Sequence, residues 1–322
     1  MASTINYVNL ADYINQLNPE ILKEPVLKGR FVDQISHLPG IKNAEVINAI
    51  KSNPVLQTPT CGTILSPTGS VTPFQNTITT CILEYAEVLC PNDFEKKYFG
   101  MYAKLGSYNE DVTEQFSKVY TADKIDKIQA AIEDNLIFAS TTGTFSTSTT
   151  TLCNGLMHTL LLTSASASIV NATGLSASFT VANAYSNIDA IITQLPSAIF
   201  TEPDLTLWLS YADYRTYVSN LKNNNWYHFD GNESRPSLVN QIYHPGTNIK
   251  ISAERGFSMN TNGKHYFLLT NASNIWYGYD DANDYMKFQY FYSDLTDAVN
   301  FRCKFKIGIN AAYYENIVLG VI

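Results

Sequence analysis

The groups able to do chemistry in this chain are few and scattered. The histidines, His37, His158, His228, His244 and His265, never fall at the spacing that places two ligands on one helix face or one strand. The five cysteines, Cys61, Cys81, Cys90, Cys153 and Cys303, form an odd set without a C-x-x-C pair. That usage predicts reduced, packed thiols in a cytoplasmic compartment, with neither a disulfide framework nor a zinc site. Asp280, Asp281, Asn283 and Asp284 make the densest group of oxygen ligands, but the ligand order and central glycine of a calcium loop are missing. That run, like Phe229-Asp230-Gly231-Asn232, reads as a turn. The aromatic runs Trp276-Tyr277-Gly278-Tyr279 and Phe288-Gln289-Tyr290-Phe291-Tyr292 could stack a sugar ring. They alternate as strand residues do, which favours core or interface packing. No phosphate-cradling glycine loop, nucleophile elbow or zinc-protease motif occurs. The expectation is a protein that is not an enzyme, with no cofactor, no metal and no catalytic residues.

The elements that carry these residues point to an α+β chain. Residues 1 to about 40 read as an extended arm with little helix, punctuated by Pro19, Pro25 and Pro39. Its apolar clusters, Ile21-Leu22, Val26-Leu27 and Phe31-Val32, need another body to bury them. Residues 41–51 and 76–90 have strand composition, with a Pro- and Gly-rich loop, Ser52 to Gln75, between them. Asn92 or Asp93 starts a short helix, residues 108–120 make another, and Asp123 caps an amphipathic helix from Lys124 to Ala139. In that last helix Ile125, Ile128, Ile132 and Leu136 recur on one side, opposite Lys124, Asp126, Lys127, Glu133 and Asp134. Thr141 to Thr151 reads as a polar loop or hairpin, Ser176 to Val181 as a strand, and residues 185–195 as a helix stopped by Pro196. A strand (Asp204 to Tyr211) and a helix (Asp213 to Leu221) follow. Turn-punctuated strands come next at 249–253, 265–270, 274–279, 285–291 and 299–310.

Charge is the unusual quantity. Only 16% of the 322 residues are Asp, Glu, Lys or Arg, against roughly 25% in an average domain, while 12% are aromatic. That aromatic content argues for a fold and against disorder. The net charge of −8 excludes a protein that coats nucleic acid with basic surface. No segment is long and apolar enough to span a membrane, and the first 22 residues lack the positive region of a secretory signal. The shortage of charge is local: none occurs from Ser52 to Leu83 or from Asn135 to Ile188. Solvated loops usually carry charge, and loops that meet a partner often do not.

Three strings carry a family resemblance: Asn9-Leu10-Ala11-Asp12-Tyr13-Ile14-Asn15-Gln16-Leu17-Asn18-Pro19-Glu20, Cys90-Pro91-Asn92-Asp93-Phe94-Glu95-Lys96-Lys97-Tyr98, and Phe305-Lys306-Ile307-Gly308. With the order of elements over nearly the whole chain, they resemble the major capsid proteins of tailed bacteriophages with the Hong Kong 97-type fold. The closest likeness is to those of phages of Bacteroidetes, including crAss-like phages. The resemblance implies an N-terminal arm at 1–40 and an extended hairpin loop at 41–85. It further implies a peripheral domain with a long spine helix at 86–182 and 281–322, and an axial domain at 183–280. Its implied function is self-assembly, as hexamers and pentamers, into an icosahedral virion shell around packaged double-stranded DNA, built in the bacterial host cytoplasm. Leu22, Val26, Phe31, Val55, Leu56, Ile64, Leu65, Val71 and Phe74 would then sit at subunit interfaces. Partners would be further copies of the chain, portal and scaffolding or decoration proteins, and DNA held weakly and without sequence preference.

Two departures from the family matter. Some such capsids crosslink through a lysine of the extended loop, yet Ser52 to Gln75 contains none, so no isopeptide chain-mail is expected. An arm of forty residues is too short for a fused scaffolding domain, so scaffolding is separate or removed by a protease, and the encoded Met1 favours the former. The alternatives are a β-rich carbohydrate-binding or tail-fibre module, which the Tyr, Trp and Asn content permits, and an encapsulin-like compartment, which would share the fold but enclose cargo enzymes.

Overall fold

A computed structural model describes residues 30–56, 58, 69–89, 110–140, 153–162, 168–197, 199–225, 241–259, 263–281, 284, 287, 289–293 and 298–322. The expected arm up to residue 29, the helix after Cys90, the stretch at 141–151 and the turn at 229–232 lie outside them. The chain divides into two compact units, and it crosses between them within single elements.

One unit holds residues 84–129 and 285–304. Here β11 (Gln289–Ser293) pairs antiparallel with the start of β12 (Ala298–Ala311), from Gln289↔Arg302 to Ser293↔Ala298. Strand β4 (Cys81–Leu89) also pairs with β12. The Tyr85 ring meets Phe301 edge-on at 5.8 Å. Lys124 of the helix α2 (Glu110–Phe138) binds Glu87 at 2.7 Å. Helix α2 is continuous where the sequence suggested two helices. Asp123 does not cap it; its carboxylate pairs with Lys127 one turn on, at 3.2 Å, so a residue that signals a helix start serves the helix interior.

The second unit holds residues 28–83, 130–284 and 305–322. Its centre is a mixed six-stranded sheet, ordered β5 (Val170–Asn171), β13 (Val318–Val321), β9 (Tyr266–Asn271), β6 (Leu205–Leu209), β8 (Lys250–Ala253) and β7 (Gln241–Tyr243). Registers such as Leu207↔Ile251, Leu207↔Leu269 and Leu269↔Val318 put these side chains on one face. Helices α4 (Ala184–Ile192) and α5 (Tyr211–Asn223) cover that face with Ile188, Ile191, Tyr217 and Leu221, all without exposure. The opposite face presents Trp208, Leu268 and Tyr266, also buried. There Phe31 of the helical turn α1 (Phe31–Gln34) meets Trp208 at 5.4 Å, and Phe138 at the end of α2 meets Tyr266 at 5.2 Å. Covered on both faces, β6 is buried at every residue, which explains its unbroken LTLWL run. Helix α5 starts with reciprocal capping: the Asp213 N–H donates to Ser210 Oγ at 3.1 Å, and Ser210 Oγ donates to the Asp213 carboxylate at 2.7 Å.

The hairpin of β2 (Ala44–Asn53) and β3 (Ser70–Thr79) runs in register from Ala44↔Thr79 to Asn53↔Ser70. Strand structure therefore reaches into what composition presented as loop. Its root rests on β10 (Ile275–Tyr279), which pairs parallel with β1 (Ser36–Pro39) and antiparallel with residues 307–311 of β12. Within the stretch expected to be an arm, residues 31–39 form a helical turn and a strand.

Two further expectations fail. Ser176 to Val181 is no strand, because side chains satisfy its backbone in place of a sheet edge. The Ser176 and Thr180 N–H groups donate to Asn187 and Asn183 carboxamide oxygens at 2.9 and 2.8 Å. The thiols are not all reduced: Cys81 and Cys153, 72 positions apart, form a disulfide with their Cα atoms 5.9 Å apart. Spacing along the chain held no trace of that proximity. Cys303 is buried and takes no part in that bond.

Candidate assembly surfaces

The hairpin has two chemically different faces. In an antiparallel ladder, residues directly opposite each other share a face. Ile47, Ala49 and Ile78 lie on the inner face, buried with Ile41 and Ala312 against Leu38, Trp276 and Tyr313. The seat for this packing is a pair of glycines, Gly278 and Gly308, opposed across β10 and β12. A Cβ at Gly278 would stand 2.6 Å from Ile41 Cδ1, and one at Gly308 would stand 2.5 Å from the Thr79 carbonyl oxygen. Only glycine lets the hairpin root approach so closely. Asn76 on the same face donates to the Ala311 and Ala312 carbonyls at 3.1 and 2.7 Å.

The hairpin's two charged residues, Glu45 and Lys51, share this inner face by register. Lys51 binds Glu315 at 2.5 Å, beside a cleft of about 230 Å³ that Phe74 and Tyr313 also line. The outer face carries Val46, Asn48, Ile50 and Ser52 of β2 opposite Thr77, Gln75, Pro73 and Val71 of β3. All eight are exposed and none is charged. Ile50 and Val71 are 65% and 67% exposed, and Leu56 toward the tip is 99% exposed. Gln75 donates to Asn48 across the strands at 2.8 Å.

Of the expected interface residues, Val55, Leu56 and Val71 are exposed, while Phe74 is half-buried, its ring edge-on to Tyr313 at 5.2 Å. Leu22, Val26, Ile64 and Leu65 lie outside the described residues. Phe31 corrects the expectation: it is fully buried in its own subunit, between Trp208 and Phe257, and has no surface to offer another chain. Sequence reading missed Val46, Ile50 and Pro73, because the outer face becomes legible only once register assigns every second residue to it.

Phe31 also sits beside buried carboxylates. Glu133, 1% exposed, accepts from the Phe31 N–H at 3.2 Å and the Gly256 N–H at 3.0 Å. Burial above all, helped by the neighbouring Glu254 carboxylate, raises its pKa to about 7 against the pull of these two donors. Glu254, equally buried, accepts from Ser252 Oγ at 2.7 Å and Gln34 Nε2 at 2.5 Å, and burial raises its pKa too. Gln34 in turn accepts from the Trp208 indole at 3.2 Å. Asp134 holds Arg255 through two nitrogens, each at 3.0 Å. These groups knit the root of the arm to the end of α2 and the strand end at β8. The described histidines are likewise committed: His37 to the Val32 carbonyl at 3.0 Å, His158 to Ser140 at 3.0 Å, His244 to Tyr217 at 2.8 Å and His265 to Asp213 at 2.6 Å. Asp280 of the acidic run binds Lys42 at 2.7 Å. Among the described residues no group of three or more His, Cys, Asp or Glu could hold a metal ion, and no helix is long and apolar enough to cross a membrane.

No protein-family model and no curated protein matches the sequence. Solved structures do match by fold, end to end. The chain is similar to the capsid of Myoviridae phage XM1, with a TM-score of 0.56 at 10% identity over 97% of this chain and 98% of the other. It is similar to the capsid of an empty GTA particle, with a TM-score of 0.57 at 12% identity over 94% and 98%. It is similar to the capsid of cyanophage P-SCSP1u, with a TM-score of 0.53 at 11% identity over 99% and 96%. At such low identity what is common is the path of the chain, and that path is the α+β Hong Kong 97-type fold of phage capsid proteins.

Proposed function

We propose that this chain is the major capsid protein of a tailed bacteriophage, assembling with copies of itself into hexamers and pentamers of an icosahedral shell. One observation carries the reading beyond the fold: the hairpin turns every charge toward its own body and an uncharged, partly apolar ladder outward. Such a face can be covered without the desolvation cost of burying ions. A closed shell repeats that contact at every subunit, so modest contacts sum to a stable particle. In this reading residues 1–40 are the arm, 41–85 the overlapping loop, 86–182 with 281–322 the peripheral domain, and 183–280 the axial domain. The strings at 9–20, 90–98 and 305–308 favour phages of Bacteroidetes, including crAss-like phages. The shell forms in the host cytoplasm, encloses double-stranded DNA held weakly at this net charge, and works with portal and scaffolding or decoration proteins. Catalysis has no part in this role.

Negative-stain electron microscopy of the purified chain tests the proposal. Hexamers, pentamers or closed shells support it, and a protein that stays monomeric or trimeric at high concentration overturns it. Shells containing enzymes in place of DNA, when isolated from the native source, would turn the reading to an encapsulin-like compartment.

A further inference from the structure

The Cys81–Cys153 pair closes a ring at a revealing place. The chain leaves the second unit after Leu83 and returns to it at Ala130. The two cysteines flank that excursion, so the ring encloses the whole 84–129 stretch and all of α2. Each end is also held by contacts outside the bond. Cys81 opens β4, and its sulfur lies 3.3 Å from the Ile307 carbonyl oxygen. Cys153 is held by Gly155, whose N–H donates to the Ala139 carbonyl at 2.7 Å just past the end of α2. A Cβ at Gly155 would stand 2.8–2.9 Å from three carbonyls of that last turn, so the segment can sit only against it. The Cα separation of 5.9 Å is the usual one for a disulfide. Cys81 is part-exposed and Cys153 buried, which gives the reaction an order.

We propose that Cys81 and Cys153 are a redox lock: reduced while the subunit folds and assembles, and closed when the particle meets a low-molecular-weight disulfide outside the reducing cytoplasm. The assembly half of this statement rests on the capsid reading above. The Cys81 thiolate attacks one sulfur of a disulfide such as oxidised glutathione, forming a mixed disulfide and releasing one small thiol. The Cys153 thiolate then attacks Cys81 Sγ, forming the protein disulfide and releasing the second small thiol. Two protein thiols are oxidised, one small disulfide is reduced, and the two cysteine protons end on the departing thiolates. The closed bond fastens the hairpin root to the segment after α2. The ring it closes is long, so it removes much chain entropy from the unfolded state.

The test lyses cells into denaturant containing N-ethylmaleimide, so that buried thiols are reached, then exposes an unalkylated native sample to oxidised glutathione, and maps linked peptides without reduction. Expected are alkylated Cys81 and Cys153 at lysis, and a Cys81–Cys153 linked peptide after oxidation. Apparent unfolding temperature should rise by about 5–10 °C on oxidation and fall back with dithiothreitol. Cys81→Ser, whose hydroxyl still donates to Ile307, should show no such rise. A bond already closed at lysis, a link to Cys61, Cys90 or Cys303 instead, or no thermal response to oxidation overturns the lock. Should the serine variant fail to fold, the dithiothreitol response of the natural chain decides alone. Peptide mapping reads the soluble subunit as well as shells, so failure to assemble and failure to lock are separate results.

Discussion

Gly308 and Glu133 show how single residues set the fold, for opposite reasons. Gly308 is defined by what it lacks: a methyl group there would meet the Thr79 carbonyl at 2.5 Å, backbone against which no rotamer can relieve it. Gly308→Ala should cost about 2 kcal/mol, within the range for overpacked interiors, and lower the urea midpoint without changing the slope. Glu133 is defined by a charge held out of water. Its carboxyl titrates near 4.5 when free and at about 7 in the fold, so the folded chain binds that proton more tightly than the unfolded chain. Stability is then full below the free carboxyl's range and declines as pH climbs from about 4.5 to about 7, by roughly 3 kcal/mol from this group. Glu254 and Asp134, both raised by burial, act in the same direction, with Arg255 opposing at Asp134. Urea unfolding at pH 5 and pH 8 should show the natural chain losing stability on going to pH 8, and Glu133→Gln losing distinctly less. Equal losses would mean that Glu133 is not buried as described.

At the scale of elements, the hairpin has one buried face and one exposed, uncharged face, and the proposed capsid role assigns folding to the first and assembly to the second. Ile78 on the inner face is without exposure, and Ile78→Ala should cost roughly 2–4 kcal/mol in the isolated subunit. Ile50 on the outer face is 65% exposed, so Ile50→Asp should change subunit stability by less than about 0.5 kcal/mol. The same substitution should abolish shells, because it places an ion on the face that the proposed subunit contact would cover. Shells that form normally with Asp at position 50 would remove the outer face from the assembly surface. Helix α2 makes the complementary point about legibility. Ile128, Ile132 and Leu136 are buried as their spacing requires, but Glu133, which the helical wheel sends to solvent, is buried as well. Two backbone donors from remote segments compensate it, and no local pattern announces them.

For the whole molecule, covalent chemistry between subunits is the sharpest question. The stretch Ser52 to Gln75 has no lysine, and Lys51, at its edge, is engaged by Glu315 on the inner face. Particles boiled in denaturant and reductant should therefore run as a single monomer band, and a ladder of multimers would contradict this. The Cys81–Cys153 bond acts within one subunit, so omitting the reductant should leave that band unmultiplied.

The sequence by itself determined the α+β class, the strands at 205–209, 250–253 and 266–271, and the amphipathic end of α2. It also located the charge-free run from Ser52 to Leu83. Periodicity and composition are local quantities, and these features are local. Only the tertiary structure decided which face of the hairpin is free, that Phe31 and Glu133 turn inward, that Asp123 serves a continuous helix, and that Cys81 meets Cys153. Apart from the Asp123–Lys127 pairing, which spans a single helical turn, each of these depends on segments brought together from distant parts of the chain, where spacing in sequence carries no information about distance in space.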